Sequence, residues 1–159
     1  MKVSWSPSLL AVLLLVSINL DADANKRIVG ATEMVFVEDA NLSFKARVDS
    51  GAKTSSIHAE NIEVDFSGDP RGKTISFDVV TKEGLSRKIE TRVSSVITVR
   101  TSESAEYRYV VWLTMKWNDS KKAVRVTLND REKMEYHLLL GRNWLQGDFV
   151  VDVDKNNED

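Results

Sequence analysis

An aspartate followed by serine and glycine is the feature of this sequence best suited to acid–base chemistry. Asp49-Ser50-Gly51 comes directly after the alternating apolar and polar residues of 42–48. Gly51 allows a sharp backbone turn and leaves space beside the carboxylate, and the Ser50 hydroxyl can bond a neighbouring oxygen and stiffen the loop. The segment is therefore suited to displaying the Asp49 carboxylate at the floor of a cleft. An ordinary turn after a strand is the alternative, and these residues alone favour it.

A second segment, late in the chain, joins a fully apolar strand to a glycine and a short helix. Residues 138–141 read Leu-Leu-Leu-Gly, and Arg142-Asn143 follow. We expect a short helix over 142–146, with Gly147 placed to end it.

Together, the early Asp-Ser-Gly-Ala and the late Leu-Leu-Gly-Arg-Asn resemble the retropepsin-like aspartic peptidases, whose subunits carry both motifs. The chain is more similar to a bacterial branch of that fold, labelled the ATP-dependent zinc protease family. The similarity begins at Ile28-Val29-Gly30, continues through 45–59 (KARVDSGAKTSSIHA) and 126–131, and ends around 150–152. It covers most of the chain, and the order and spacing of the motifs are more specific than any one of them.

The resemblance implies a role for each residue that matches these motifs. Asp49 is the expected catalytic carboxylate. The expected active-site loop consists of Ser50, Gly51, Ala52, Lys53 and Thr54, and the residues expected to support it are Leu139, Leu140, Gly141, Arg142 and Asn143. The implied activity is hydrolysis of an extended peptide or protein substrate.

Aspartic peptidase chemistry also makes a demand on the number of chains. It needs two carboxylates about 3 Å apart that share one proton. The chain contains a single Asp-Ser-Gly and is too short to hold two lobes. The resemblance therefore implies a homodimer in which Asp49 of one copy meets Asp49 of the other across a two-fold axis.

A non-catalytic module that binds a peptide or a cell-envelope component is the alternative from another functional class. Lys53 follows Asp49 by four residues, and a cation pointing into the cleft would favour the ionised carboxylate over a shared proton. The glycine-rich flap of retroviral enzymes also has no clear counterpart; residues 67–73 are its best candidate, with an ordinary turn as the alternative.

The elements that would position these residues follow from a period of two in the apolar residues. Alternating stripes cover 42–48, 75–79, 107–117, 124–128 and 149–153, with turn-forming residues at 67–72, 82–84 and 117–120. Such stripes indicate strands with one buried face, and their spacing favours a small antiparallel barrel or sandwich. With the resemblance, we expect an all-β domain: a small closed or partly open antiparallel β-barrel of the retropepsin-like (acid protease) type with one short C-terminal helix.

Composition excludes several other kinds of chemistry. The chain has no cysteine, which removes disulfides, thiolate metal sites and a cysteine nucleophile. It has two histidines, no H-E-x-x-H pair and no G-x-x-x-x-G-K-[ST] loop, so we expect neither a metal nor a cofactor. A weak metal site at His58 with Asp49, or a zinc metallopeptidase, is a minor alternative, and both His58 and His137 are expected to be structural. The net charge of −2 argues against a nucleic-acid partner.

The first residues predict export. Lys2 precedes an apolar run over 9–20, and Ala22-Asp23-Ala24 offers small residues for cleavage after Ala24. We therefore expect a signal peptide at 1–24, a domain at 25–154, a polar tail at 155–159, and a periplasmic or secreted protein with no membrane span after cleavage. An uncleaved anchor is the alternative.

Overall fold

The computed structural model of the protein describes residues 26–65, 68–100 and 105–155, and the predicted signal peptide lies outside these ranges. The described residues form eleven strands, one short α-helix and a 3-10 turn at Glu38–Ala40. The strands are β1 (Arg27–Val29), β2 (Thr32–Val37), β3 (Leu42–Val48), β4 (Ser55–Val64), β5 (Thr74–Val80), β6 (Ser86–Arg92), β7 (Ser95–Arg100), β8 (Ala105–Trp117), β9 (Ser120–Asn129), β10 (Leu138–Leu140) and β11 (Phe149–Val151); the helix, α1, is Arg142–Leu145. No helix in these ranges has the length and apolar character needed to span a membrane.

Six strands close into a barrel in the order β10-β3-β2-β8-β9-β4, because β10 pairs with both β3 and β4. The predicted small barrel with one short helix is thus confirmed. Two of its seams, β3 with β10 and β4 with β9, are parallel, and the others are antiparallel. The helix ends at Leu145, one residue before the expected end, and Gly147 follows with a positive φ of 91°.

The barrel core is built from the alternating stripes that the sequence predicts. In β3 every second residue is buried and its neighbours are exposed, as expected for a strand with one wet face. The largest fully buried side chains include Phe44, Ile57, Leu113, Leu138 and Trp144. The core therefore extends from β3 through β4 and β8 to β10 and α1. Asp49 follows directly after Val48, the last residue of β3.

Beyond the barrel, β4 continues as a ladder with β5, and β5 pairs with β6, while β7 pairs in antiparallel fashion with residues 105–110 of the barrel strand β8. The sequence analysis did not identify β1, β2, β4, β6 or β7 as strands. Of these, β4 and β6 show why. The first half of β4 is buried on both faces and its second half is mostly exposed, and in β6 only Ile89 is buried. Neither strand therefore shows the alternation that indicates a half-buried strand.

A buried carboxylate on β2 ties the two ends of the described chain together. Glu33, 7% exposed, accepts hydrogen bonds from the Gly30 backbone N–H and from Trp117 Nε1, both at 2.7 Å. Lys155 Nζ, after β11, pairs with the same carboxylate at 3.2 Å. Since β1 and β11 form a sheet of their own, Glu33 is one of the contacts that join this sheet to the barrel, together with the packing of Phe149 against Trp117 and Trp144.

We expect Glu33→Ala to lower the free energy of unfolding by about 2–4 kcal/mol, because it leaves the buried donors of Gly30 and Trp117 unpaired. Urea unfolding followed by tryptophan fluorescence measures the change. Glu38→Ala is the matched control: Glu38 pairs with Lys121 at the surface, and its loss should cost less than about 1 kcal/mol. Equal effects in the two variants would contradict the assignment.

Candidate functional site

The Asp49 carboxylate stands at the end of β3 with one oxygen held and the other available. Its Oδ1 accepts hydrogen bonds from the backbone N–H of Gly51 at 2.9 Å and of Ala52 at 3.1 Å. Its Oδ2 makes no hydrogen bond to any residue in the described ranges. The side chain is partly buried, whereas Ser50 and Gly51 are exposed. A fixed carboxylate with one unengaged oxygen can accept a proton from, or donate one to, a bound molecule.

Gly51 is required by this geometry. A Cβ at position 51 would lie 3.1 Å from Asp49 Oδ1, the oxygen that the loop amides hold. The glycine therefore lets the backbone turn back onto the carboxylate, as the sequence predicts.

The first turn of α1 holds the loop from the other side. The Arg142 guanidinium donates to the carbonyl oxygens of Ser50 at 3.0 Å and Gly51 at 2.7 Å. The Arg142 backbone N–H donates to the Ala52 carbonyl at 2.8 Å. The predicted support by Arg142 is thus a direct set of hydrogen bonds to the loop backbone.

Asn143 fixes the residue that follows the loop. Its Oδ1 accepts from both the backbone N–H and the hydroxyl of Ser55 at 2.9 Å, and its Nδ2 donates to the Arg125 carbonyl at 2.6 Å. The Ser55 hydroxyl in turn accepts from the Gly141 N–H at 3.0 Å. Ser55, which the sequence analysis did not single out, is therefore part of the loop support.

β10 lies beneath the loop and explains the glycine that follows it. Leu140 is paired with Val48, its carbonyl accepts the Asp49 N–H at 2.9 Å, and Leu139 is paired with both Arg47 and Ser56. At Gly141 an added Cβ would lie 2.7 Å from the carbonyl carbon of Thr54 and 2.9 Å from the Ala52 carbonyl oxygen. The loop backbone passes so close to Gly141 that no side chain fits there.

Lys53 and Thr54 line a cavity of about 430 Å³ beside the loop, together with Ile97, Val110, Arg125 and Asn143. Ile97 belongs to β7 and Val110 to β8, so the β7–β8 hairpin is the element that borders the loop. Residues 68–71 of the predicted flap instead line a separate groove with Tyr107 and Tyr109 of the same hairpin, and residue 67 lies outside the described ranges. The structure therefore places residues 68–71 against the β7–β8 hairpin, outside the cavity that Lys53 and Thr54 line.

Arg131 is a functional candidate that the sequence analysis included in the matched range 126–131 without giving it a role. Burial lowers the pKa of its guanidinium, the nearby Arg108 lowers it further, and the Asp49 carboxylate raises it. Its Nε donates to the Tyr136 carbonyl at 3.0 Å. Arg131 is therefore a partly buried cation within electrostatic reach of the Asp49 carboxylate. The match of 126–131 to the family motif was the one signal that could have identified it.

The two histidines lie together but away from the carboxylate. His58 and His137 are buried, and their ring centres are 4.5 Å apart. His58 is engaged with Glu60 and the Arg131 backbone, not with Asp49. In the part of the chain that the structure describes, no three side chains of the usual metal-binding types come together.

We expect Gly141→Ala to lower the free energy of unfolding by about 2–3 kcal/mol, because the new methyl group must push the 52–54 backbone aside. Gly84→Ala is the control: its φ of 84° strains an alanine, but no atom lies within 4 Å of the new Cβ, so its cost is about 1 kcal/mol. Chemical denaturation measures both. A Gly141→Ala protein as stable as the Gly84→Ala protein would contradict the close approach.

Comparison with known proteins identifies relatives of this chain. Among curated proteins, relatives from Desulfotalea psychrophila and Parasynechococcus marenigrum are each named "Probable alpha-L-glutamate ligase" and are 32% and 36% identical over 138 residues. The match covers 84% of this chain and 29% of each relative, so the chain spans less than a third of their length.

A solved structure supports the fold. Lpg0085 from Legionella pneumophila, described as a protein of unknown function (DUF785), is 33% identical with a TM-score of 0.65, over 79% of this chain and 92% of its own. The family model described as RimB-like, "Retropepsin-like aspartic endopeptidase RimB", matches residues 28–158. The chain therefore belongs to the RimB-like family of retropepsin-like aspartic endopeptidases.

Proposed function

We propose that the protein is an aspartic-type peptidase whose active site forms between two copies of the chain. One Asp49 carboxylate takes a proton from a water molecule as the water oxygen attacks the peptide carbonyl carbon. The other, protonated, Asp49 donates its proton to the carbonyl oxygen, giving a tetrahedral diol. Proton transfer to the nitrogen then breaks the C–N bond and yields a carboxylic acid and an amine.

The observation that carries this proposal is the difference in hydrogen bonding between the two carboxylate oxygens of Asp49. Two backbone amides hold Oδ1, and α1 holds the loop that supplies those amides. Oδ2 is thereby presented in a fixed direction without a partner in the described chain. Such advance positioning removes the cost of ordering the carboxylate during the reaction.

The surface beside the loop supports a second copy as the partner. Ser50, Arg142, Phe149 and Val151 line a hollow of about 250 Å³ between the loop and β11. On the adjoining two-stranded sheet, Ile28 and Val150 are 55% and 49% exposed. Apolar side chains next to an incomplete site favour contact with an identical surface across a two-fold axis.

As substrates we propose peptides rich in glutamate. The matched relatives are named "Probable alpha-L-glutamate ligase". The basic residues near the loop are Arg131, which interacts with Asp49, and Lys53 and Arg125, which line the neighbouring cavity. Cations beside a cleft attract acidic peptides and repel basic ones. Cleavage should be faster for a glutamate-rich peptide than for a lysine-rich peptide of equal length, with a difference that shrinks as salt rises.

For its place in the cell, we propose that residues 1–24 are removed and that the protein acts in the periplasm or outside the cell. The mass of the purified protein from cells tests this. A chain that begins at Asn25 supports export, and a chain that retains residues 1–24 contradicts cleavage.

A binding module that keeps the fold without the chemistry is the second candidate, favoured by the cationic groups near Asp49. A cation stabilises the ionised carboxylate and so opposes the shared proton that the dyad needs. Peptide binding without cleavage, by a protein that is monomeric in sedimentation, would support this candidate.

We expect Asp49→Asn to reduce peptide hydrolysis by at least about 10³-fold, because an amide can neither take nor give the proton. Mass spectrometry of a peptide library between pH 3 and pH 8 measures cleavage. Asp65→Asn, an exposed aspartate at the end of β4, is the control and should keep full activity. Equal cleavage by Asp49→Asn and wild type would end the proposal, and loss of activity on chelation of zinc would instead favour a metallopeptidase.

Mixing equal amounts of wild-type and Asp49→Asn chains tests the shared site directly. If two copies form one site and exchange freely, about a quarter of the dimers hold two aspartates, so activity falls to about a quarter of that of the same total amount of wild type. A fall to about half would show that each chain acts alone.

A further inference from the structure

A buried histidine pair lies behind the loop that carries Arg131, and the proposed dyad chemistry does not use it. His58 on β4 and His137, just before β10, are 2% and 6% exposed. Histidine is the side chain whose charge changes most readily in the physiological range. A buried pair of this kind is therefore a place where pH can act on the fold.

The hydrogen bonds of His58 fix which ring nitrogen carries its proton. Nδ1 lies 2.9 Å from the backbone N–H of Arg131, which can only donate, so Nδ1 must be the unprotonated acceptor. Nε2 then carries the proton and donates to the Glu60 carboxylate at 3.0 Å. This arrangement exists only while His58 is neutral.

His137 does not offer an alternative site for the proton. Its Nδ1 donates to the Val80 carbonyl at 2.9 Å. Its Nε2 is buried and has no hydrogen-bond partner among the described residues, so a proton there would find no acceptor. Of the two rings, His58 is the one with a partner for a second proton, because Asp130 Oδ1 lies 3.8 Å from its Nδ1.

His58 makes a hydrogen bond near each end of the segment 130–137, which joins β9 to β10. Its ring accepts the Arg131 N–H near the start, and its backbone N–H donates to the His137 carbonyl at 2.7 Å at the end. Within the segment, the Arg131 side chain bonds the Tyr136 carbonyl. The segment leads directly into β10, whose Leu140 carbonyl accepts the Asp49 N–H at 2.9 Å, so His58 is linked to the Asp49 site through this segment.

We propose that neutral His58 is a positioning residue for the Asp49 site. In the neutral state Nδ1 accepts the Arg131 N–H and holds the start of the 130–137 segment, which leads into β10 beneath Asp49. Proton uptake turns Nδ1 into a donor, which repels the Arg131 N–H and bonds Asp130 instead, so that the start of the segment shifts. The effect on hydrolysis rests on the proposed function, whereas the coupling of His58 to Arg131 does not.

Several other charged groups surround this switch and are part of it. Glu60 lies on the same strand, and Asp78 is paired with it from β5. Asp130 and Arg131 face His58 from the 130–137 segment, and Arg108 on β8 acts on Arg131. Charges of both signs therefore lie around His58.

Nitrogen-15 NMR of the imidazole rings, with backbone amide spectra and hydrogen exchange across pH 4–8, tests the proposal in the intact protein. At neutral pH we expect His58 to be protonated at Nε2 alone. On acidification, the Arg131 amide should shift with the same midpoint as the His58 ring, and its exchange, corrected for pH, should become about tenfold faster. The proposal would be overturned by a His58 ring protonated at Nδ1 at neutral pH. It would also be overturned if the shift and exchange of the Arg131 amide did not change as His58 titrates.

Three variants make the test specific. His58→Asn offers a carbonyl oxygen near the position of Nδ1 but cannot titrate, so the acid-induced change at Arg131 should disappear while its neutral-pH protection remains. Asp130→Asn removes the alternative acceptor and should move the transition to lower pH. His137→Asn leaves His58 as the single histidine, which secures its assignment, and should keep the Arg131 transition; its loss in that variant would contradict the role given to His58.

If the protein cleaves peptides, the pH profile of cleavage supplies a further result. In wild type, a fall in cleavage at low pH should have the same midpoint as the titration of His58. That fall should be absent from His58→Asn. A protein without cleavage but with the coupled NMR transition would refute the proposed function alone. Cleavage without that coupling would refute the positioning role alone.

Discussion

The structure of the site depends on the contact between Gly141 and the backbone of residues 52–54. The loop can hold the Asp49 carboxylate only because its carbonyl groups lie against the start of α1, where Arg142 supplies donors. That approach leaves no room for a Cβ at position 141. The short helix thus has two roles: Trp144 packs in the core, and the first turn supplies backbone and guanidinium donors to the loop carbonyls.

β10 connects this contact to the rest of the molecule. Its three residues pair with β3 on one side and β4 on the other, which closes the barrel. The same strand positions Gly141 against the loop, and the Leu140 carbonyl accepts a hydrogen bond from the Asp49 N–H. The residues that close the barrel therefore also shape the site. A change that separates β3 from β10 would also break the hydrogen bond that the Asp49 N–H donates to Leu140.

The sequence predicted the parts of the fold that carry a strong alternating pattern and the parts of the site that match short motifs. β3, β5, β8 and β9 follow apolar stripes, and the loop and its support follow Asp-Ser-Gly-Ala and Leu-Leu-Gly-Arg-Asn. β4 and β6 escaped because two-sided burial in one and two-sided exposure in the other remove the period of two. Arg131 and Ser55 received no role for a different reason: their hydrogen-bond partners lie 73 and 88 residues away in sequence, and matching a motif does not show which distant residue each one contacts.

The cationic surroundings of Asp49 place a physical condition on the proposed chemistry. A dyad works only while two carboxylates share a proton, and a neighbouring guanidinium favours the state in which both are ionised. Arg131 is within electrostatic reach of Asp49, and Lys53 lines the cavity beside its loop. An acidic substrate brings carboxylates of its own to those cations, and its binding would cancel part of their field at the site. The cations that would attract a substrate are thus the groups whose charge the bound substrate would offset.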